Sequence, residues 1–273
     1  MLFVCPKCGE SLTDNGRIAV CKNKHAYDKS REGYLNLLLS NRGGTHGDNK
    51  EMILARRGFL SRDYYRPLAD KVAEAVLSVT PKCAAVLDAG SGEGYYTDIV
   101  ERALFERDKD SNVHAFDISK EAVREVSKKN KRIRLAVAGS YRMPLRDGSV
   151  NTVINTFSPL ASEEIRRVLA DGGAFVMAVP GEEHLFDLKE ILYDTPYKNA
   201  YKDPHLDGFE LLAQKRIRYR FNMDSAVEIH DLFMMTPYAY RTPKESRDRL
   251  LELSHLECTA DFILLTYKKL SSK

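Results

Sequence analysis

Long apolar runs are missing from this chain: no stretch approaches the roughly 18 consecutive apolar residues that a membrane-spanning helix needs. The apolar start Met1-Leu2-Phe3-Val4 is too short to serve as a signal-peptide core. We therefore expect a cytoplasmic protein without a membrane partner. Internal repeats and low-complexity tracts are also lacking, which excludes solenoid and linker-like architectures. Cysteine is scarce. The five present are an odd number, and three of them fall within the first 21 residues, so pairwise disulfides do not account for them and metal ligation is the better reading. What the chain does have is 43% hydrophobic and 30% charged residues over 273 positions, enough for one substantial core with an appendage.

The net charge of +3 conceals an asymmetry. Residues 1–66 carry 12 Lys and Arg against 7 Asp and Glu, a difference of +5, which leaves 30 against 32, or −2, for the remainder. Three metal-bound thiolates would remove part of that surplus and still leave a basic head on a near-neutral body. Such a head is compatible with a polyanionic partner, and equally with an ordinary solvated surface.

Cys5-Pro6-Lys7-Cys8-Gly9 followed by Cys21-Lys22-Asn23-Lys24-His25 spells C-x2-C-x12-C-x3-H. Zinc takes four soft ligands in a tetrahedron, and two close pairs joined by a loop deliver them from a segment too small to fold alone. Cys5, Cys8, Cys21 and His25 are the candidate ligands of a closed, structural site; a redox-active C-x-x-C or free thiols are the alternatives. Cys83 and Cys258 have no partner implied by spacing and read as buried small hydrophobes.

After a turn-rich loop at 41–48 and a helix at 50–59, apolar residues recur at helical spacing from 66 to 79, with Pro67 tolerated in the first turn. Short apolar runs at 84–87, 113–116, 133–137, 152–154 and 174–179 then alternate with amphipathic helices, one opened by Ser119 and one capped by Ser162. Alternation of this kind predicts a mostly parallel sheet covered on both faces. Two later runs, 214–221 and 262–267, bring the count to seven strands with an antiparallel edge.

The loop after the first run reads Asp88-Ala89-Gly90-Ser91-Gly92-Glu93-Gly94. A dinucleotide site wants G-x-G-x-x-G, with a pyrophosphate on the following helix. Here the spacing is G-x-G-x-G, and Asp88 beside it would repel a pyrophosphate but suits a zwitterionic amino-acid ligand. Asp117, closing the next strand, is placed for the two hydroxyls of a ribose. Gly139-Ser140 closes the third strand, where an adenine edge would lie. Arg167 to Gly173 reads as a helix end with a glycine cap.

In this order the segments resemble the class I S-adenosylmethionine-dependent methyltransferases, which implies S-adenosylmethionine as methyl donor and S-adenosylhomocysteine as product. Asp171 and Asn151 stand where that family often has Pro and Asp. With the cysteine module directly before this fold, the chain resembles the bacterial RlmA-type ribosomal RNA (guanine-N1)-methyltransferases nearly end to end. Besides the two cysteine pairs, the resemblance rests on the runs starting at Glu32, Ala55, Phe59, Tyr65, Gly92 and Pro180. It implies methylation of N1 of a guanine in a hairpin loop of 23S ribosomal RNA. Residues 1–40 would be a zinc-binding module for RNA recognition, 41–65 a linker and helix, and 66–273 the methyltransferase domain. By the same resemblance Tyr65, Gly92, Glu93 and His184 contact the cofactor, and related enzymes suggest a homodimer.

Guanine N1 carries a proton at neutral pH, so a base near the reacting edge would help. His184, following the fifth strand, is the first candidate, with cofactor contact or simple loop exposure as its alternatives. Asn155 and Phe157 end the fourth strand, where one could bond and the other stack on a target base; plain core packing explains them equally. The alternating arginines at 216, 218 and 220 read as a protected sheet edge, with contact to RNA phosphates as the alternative, and 128–132 as a solvated helix end. Two further functions stay open at this stage: a small-molecule methyltransferase with a merely structural zinc, and a non-catalytic zinc-dependent binding module.

Overall fold

The computed structural model describes residues 2–39, 49–200 and 205–271; the loop expected at 41–48 lies outside them. Three short antiparallel strands, β1 (Leu12–Asp14), β2 (Ile18–Cys21) and β3 (Ala26–Asp28), form a small sheet around the cysteine pairs. The next strand, β4 (Leu35–Asn36), leaves it. It pairs in parallel with β7 (Arg134–Val137) at one edge of the main sheet, Leu35 opposite Ala136.

Among the described residues the main sheet has eight strands, in the order β10 (Phe209–Met223), β11 (Leu256–Lys269), β9 (Leu169–Pro180), β8 (Val150–Thr156), β5 (Ala85–Ala89), β6 (Asn112–Asp117), β7, β4. Its centre is β5, flanked in parallel by β6 and β8, with β9 parallel to β8. The strand β11 runs antiparallel to both β9 and β10. The expected seven strands are therefore present, with the reversed one inserted inside the edge strand, and the N-terminal segment adds an eighth.

Side chains alternate across the strands, and the two faces have separate cores. Val86, Ile154, Phe262 and Leu264 face α1 (Lys50–Leu60), α2 (Arg66–Val79), α3 (Tyr95–Arg107) and α7 (Ala226–Met234). Leu87, Val153, Ile263 and Leu265 face the other way, against α5 (Ser162–Val168) and against Phe3, Cys5, Leu12, Cys21 and Tyr27 of the cysteine module. The module cannot bury a core alone and so shares this one, held by backbone bonds such as Val4 N–H to Pro144 O at 2.8 Å. Nor is the segment 50–60 a free linker, since Arg62 just beyond it pairs with Asp231 of α7 at 2.9 Å.

Several local expectations change. Ser162 is the first residue of α5, with Ala161 at the cap position. That helix ends at Val168, and Gly172 and Gly173 lie within β9, so they cap nothing. Cys83 is exposed in a left-handed turn at φ 55°, whereas Cys258 is fully buried. Arg132 is not simply solvated: its guanidinium forks onto the buried Glu101 at 2.5 and 2.8 Å. Arg216 forks onto the buried Asp261, Arg218 pairs with Glu183, and Arg220 pairs with Glu257 at 2.6 Å.

Gly94 opens α3 at φ 80°, and a Cβ there would lie 2.7 and 2.8 Å from the methyls of Val126 on α4 (Lys120–Lys129). Its role is helix packing as well as a tight turn. Gly94→Ala is expected to destabilise the protein by ~2 kcal/mol, through overpacking and backbone strain together. A denaturant midpoint unchanged from wild type would contradict this.

Candidate functional site

The carboxyl ends of β5 to β9 open into one cavity of about 1190 Å³. Open α/β sheets bind ligands at this end, because successive loops there converge on one crevice. Gly90, Gly92, Glu93, Asp117, Ser140, Phe157, His184 and Tyr65 all line it. Asp88, Gly94 and Asn155 are absent from the wall, although the sequence pattern put them with the site. Asn155 is buried beneath the turn, its amide donating to Pro159 O at 3.4 Å.

The floor is the glycine turn. Gly90 and Gly92 have φ of 89° and 55°, a region that admits glycine cheaply, and a Cβ on Gly90 would overlap the Ser158 hydroxyl. The Gly92 N–H donates to Asp117 Oδ2 at 2.9 Å, which ties the turn to the end of β6. Asp88 lies fully buried below. One oxygen accepts from the Thr97 hydroxyl at 2.6 Å, and the other, Oδ1, has no hydrogen-bond partner among the described residues. Burial pushes the Asp88 carboxyl up to about 7, against the pull of Thr97, and burial also raises Glu93 despite the nearby Arg56. A cradle of left-handed glycines over an unsatisfied buried carboxylate fits an amino-acid ligand that brings an ammonium group. It does not fit a pyrophosphate.

Phe157 is a bulky residue in the left-handed region, at φ 59°, and is 42% exposed on the cavity wall. Backbone strain at a binding wall calls for surroundings that enforce it. Here the Phe157 N–H donates to Ala178 O at 3.2 Å, and the ring packs 5.5 Å from that of Phe262. His184 is half-buried. Its Nδ1 accepts from the Asp261 N–H at 3.4 Å and its Nε2 lies 3.4 Å from the Tyr65 hydroxyl. Burial brings its pKa down to about 3, so the ring is neutral with its only lone pair engaged. That arrangement is poorly suited to a general base.

The wall also includes residues that the sequence pattern did not single out for it. Arg56 of α1 reaches within 3.8 Å of where a Gly92 Cβ would be. Residues 235–238 and Arg241, between α7 and the last helix, form part of the roof. Pro6 joins them from the cysteine module.

Around Pro6 the sulfurs of Cys5, Cys8 and Cys21 and Nδ1 of His25 lie within 4.8 Å of one another, with separations such as 3.7 Å for Cys8 to Cys21 and 3.4 Å for Cys5 to His25. The edge of a tetrahedron with zinc–sulfur bonds of about 2.3 Å is about 3.7 Å, so these four donors fit zinc. Burial opposes the Cys5 thiolate, but the Tyr27 hydroxyl at 3.0 Å and nearby backbone N–H groups bring its pKa down to about 6. Zinc bound here would supply folding energy, not a catalytic water, because all four positions are taken by protein.

Two outcomes are expected. Purified protein should carry about one zinc per chain by atomic emission, and Cys8→Ser should lose the metal and lower the Tm by several degrees; a metal-free protein of unchanged Tm would contradict the site. An acid whose folded pKa is raised keeps its proton longer in the native state, so its contribution to stability falls as pH rises from 3.8 to about 7. Asp88→Asn should therefore gain stability relative to wild type between about pH 5 and about pH 7.5. An offset equal at both pH values, read from denaturant midpoints, would refute it.

Comparison with known proteins agrees with this geometry. The zinc-ribbon family model described as "RlmA, N-terminal" matches residues 3–42, and a methyltransferase domain model matches residues 86–173. A Streptomyces fradiae 23S rRNA (guanine(748)-N(1))-methyltransferase is 32% identical, over 91% of this chain and 90% of its own. Relatives from Bacillus subtilis and Micromonospora griseorubida, named for the same class of enzyme, are 30% and 32% identical over 97% of this chain and 96% of theirs. The chain thus belongs to the family of 23S rRNA (guanine-N1)-methyltransferases, with an RlmA-type zinc ribbon ahead of a class I methyltransferase fold.

Proposed function

We propose that the protein transfers the methyl group of S-adenosylmethionine to N1 of a guanine in a hairpin loop of 23S ribosomal RNA. The observation that carries this reading is the shared wall: Pro6, between two zinc-ligand candidates, lines the same cavity as the glycine turn and Asp117. A ribbon serving stability alone has no need to reach the cavity, and relatives matched along nearly their whole length are all named for this RNA.

When bound, the cofactor supplies a methyl group already activated on a sulfonium. The protein's own task is alignment. Asp117 takes the ribose hydroxyls and Ser140 borders the adenine. Gly90, Gly92 and Glu93 border the amino-acid end, and the buried Asp88 carboxyl beneath the floor favours its ammonium by charge alone. Phe157 offers an aromatic face for the target base, which must leave its stack to enter so deep a cavity. The zinc module, residues 1–40, contacts the RNA, residues 41–65 connect it, and residues 66–273 carry the transfer. A homodimer and a cytoplasmic site of action complete the reading; among the described residues no helix is long and apolar enough to cross a membrane.

Labelled-methyl transfer to unmodified 23S RNA, followed by reverse transcription, tests the function directly. A methyl on N1 blocks the pairing edge, so one stop in a hairpin loop is expected; labelling without a stop, or no labelling, would refute the target. RNA binding should weaken steeply with salt, because phosphate contacts release counterions, and a small-molecule enzyme would show no such slope. Phe157→Ala should lower RNA methylation about tenfold or more while S-adenosylhomocysteine binding stays unchanged, as loss of one base–aromatic stack predicts.

A further inference from the structure

We infer that the ring of Tyr197 and the guanidinium of Arg241 form a subsite for a second nucleotide of the RNA, the neighbour of the target guanine. The inference rests on the RNA methylation reading above and adds to it the place where the chain holds what flanks the methylated base.

The subsite is built on a buried lysine. Lys189 belongs to α6 (Phe186–Leu192), which follows the loop after β9, and it is 1% exposed. A buried ammonium is costly unless its surroundings answer the charge. Burial lowers its pKa, and among the described residues no carboxylate pairs with it to offset this. Its partners are neutral. It donates to Tyr197 O at 3.0 Å and to Asn199 Oδ1 at 2.7 Å. It also lies 4.3 Å from the centre of the Tyr197 ring and 5.6 Å from that of Tyr238, so two aromatic rings share the cation. Both the backbone and the ring of Tyr197 are thereby fixed to α6.

A ring held in this way would ordinarily be core. Tyr197 is instead 56% exposed and lines the cavity. Its packed part meets Lys189 and, at 5.8 Å between ring centres, Tyr193; the open part is what the cavity sees. An aromatic face fixed in advance loses little freedom when a flat partner stacks on it. The cation behind the ring draws electron density away, so the open face suits an electron-rich base and not a second cation. Charge along the wall agrees with this. The carboxylates that line it, Glu93 and Asp117, lie at the glycine turn and the end of β6. On the other side stands the exposed Arg241, whose backbone N–H donates to Tyr238 O at 2.9 Å. A stacking face beside a guanidinium offers a seat for a base and a fork for its phosphate.

The order of the strands says which nucleotide is seated there. The strands β8 and β9 are neighbours, and adjacent strands lie about 4.8 Å apart. Phe157, the face assigned above to the target base, follows β8. Tyr197 is tied to the loop after β9, because the Asn199 amide donates to Gly181 O and His184 O at 2.9 and 3.1 Å. The two faces thus stand successively outward from Asp117 after β6 and Ser140 after β7. A base on Tyr197 is the one next to the base on Phe157.

A hairpin of 23S RNA carrying the target guanine, located by its reverse-transcription stop, serves as substrate in labelled-methyl assays, and each adjoining nucleotide is replaced in turn by an abasic one. Tyr197→Ala should lower kcat/KM on the intact hairpin about tenfold or more, the loss of one base–aromatic stack. Binding of S-adenosylhomocysteine should stay at the wild-type value, which shows the fold intact. Tyr197→Phe keeps the ring and should stay within about threefold of wild type. On one of the two abasic hairpins wild type should itself be slow, and Tyr197→Ala should cost nothing more, because ring and base form one contact. Arg241→Ala should reduce the slope of log affinity against log salt by about one phosphate contact. Tyr197→Ala as fast as wild type, Tyr197→Phe as slow as Tyr197→Ala, or an unchanged salt slope for Arg241→Ala would each overturn the proposal. An equal Tyr197→Ala loss on the intact and both abasic hairpins would overturn it too, by placing the ring on the target guanine itself. A wild-type protein that methylates no hairpin guanine would remove the RNA reading, and this inference with it.

Discussion

The site depends on a backbone constraint: where β5 turns into α3, three glycines at alternate positions all take positive φ. This conformation is costly for residues with a Cβ. It brings the chain down over Asp88, presents the Gly92 N–H to Asp117, and starts α3 close enough to α4 for Val126 to touch. Each of the three glycines answers a different neighbour: the Ser158 hydroxyl, the cavity beside Arg56 and a helix. The turn thus joins the cavity floor to the packing of two helices.

Much of this was legible in the sequence, for identifiable reasons. Ligand spacing in the cysteine module follows from tetrahedral geometry, and Cys5, Cys8, Cys21 and His25 converge as the spacing predicts. The helix at 66–79 and the central strands follow from periodicity, which is local. Less legible were features that depend on contacts between distant segments. A two-residue strand such as β4 has no period to detect. The roof at 235–238 and the Pro6 wall are brought in by packing from far along the chain. G-x-G-x-G spacing alone does not say that Gly94 answers a valine and not a ligand, nor that Asn155 turns inward while Phe157 faces out.

His184 shows what a local pattern leaves out. Its position after the fifth strand was enough to make it a candidate for proton transfer. Which nitrogen holds the proton, however, depends on a backbone N–H from residue 261, which no local pattern reveals. A histidine on a cavity wall is a base only if it has a lone pair to spare. Here the Asp261 N–H points at Nδ1.

The pairing of β4 with β7, like the bridge between Phe3 and Leu145, joins residues about a hundred or more positions apart. On a growing chain the ribbon emerges long before its seat on the sheet has been made. Contacts so distant in sequence close slowly, and until they close the ribbon's apolar side faces water. Zinc captured early would hold the first strands in shape through that interval, so metal supply during synthesis bears on how much of the chain reaches its native state.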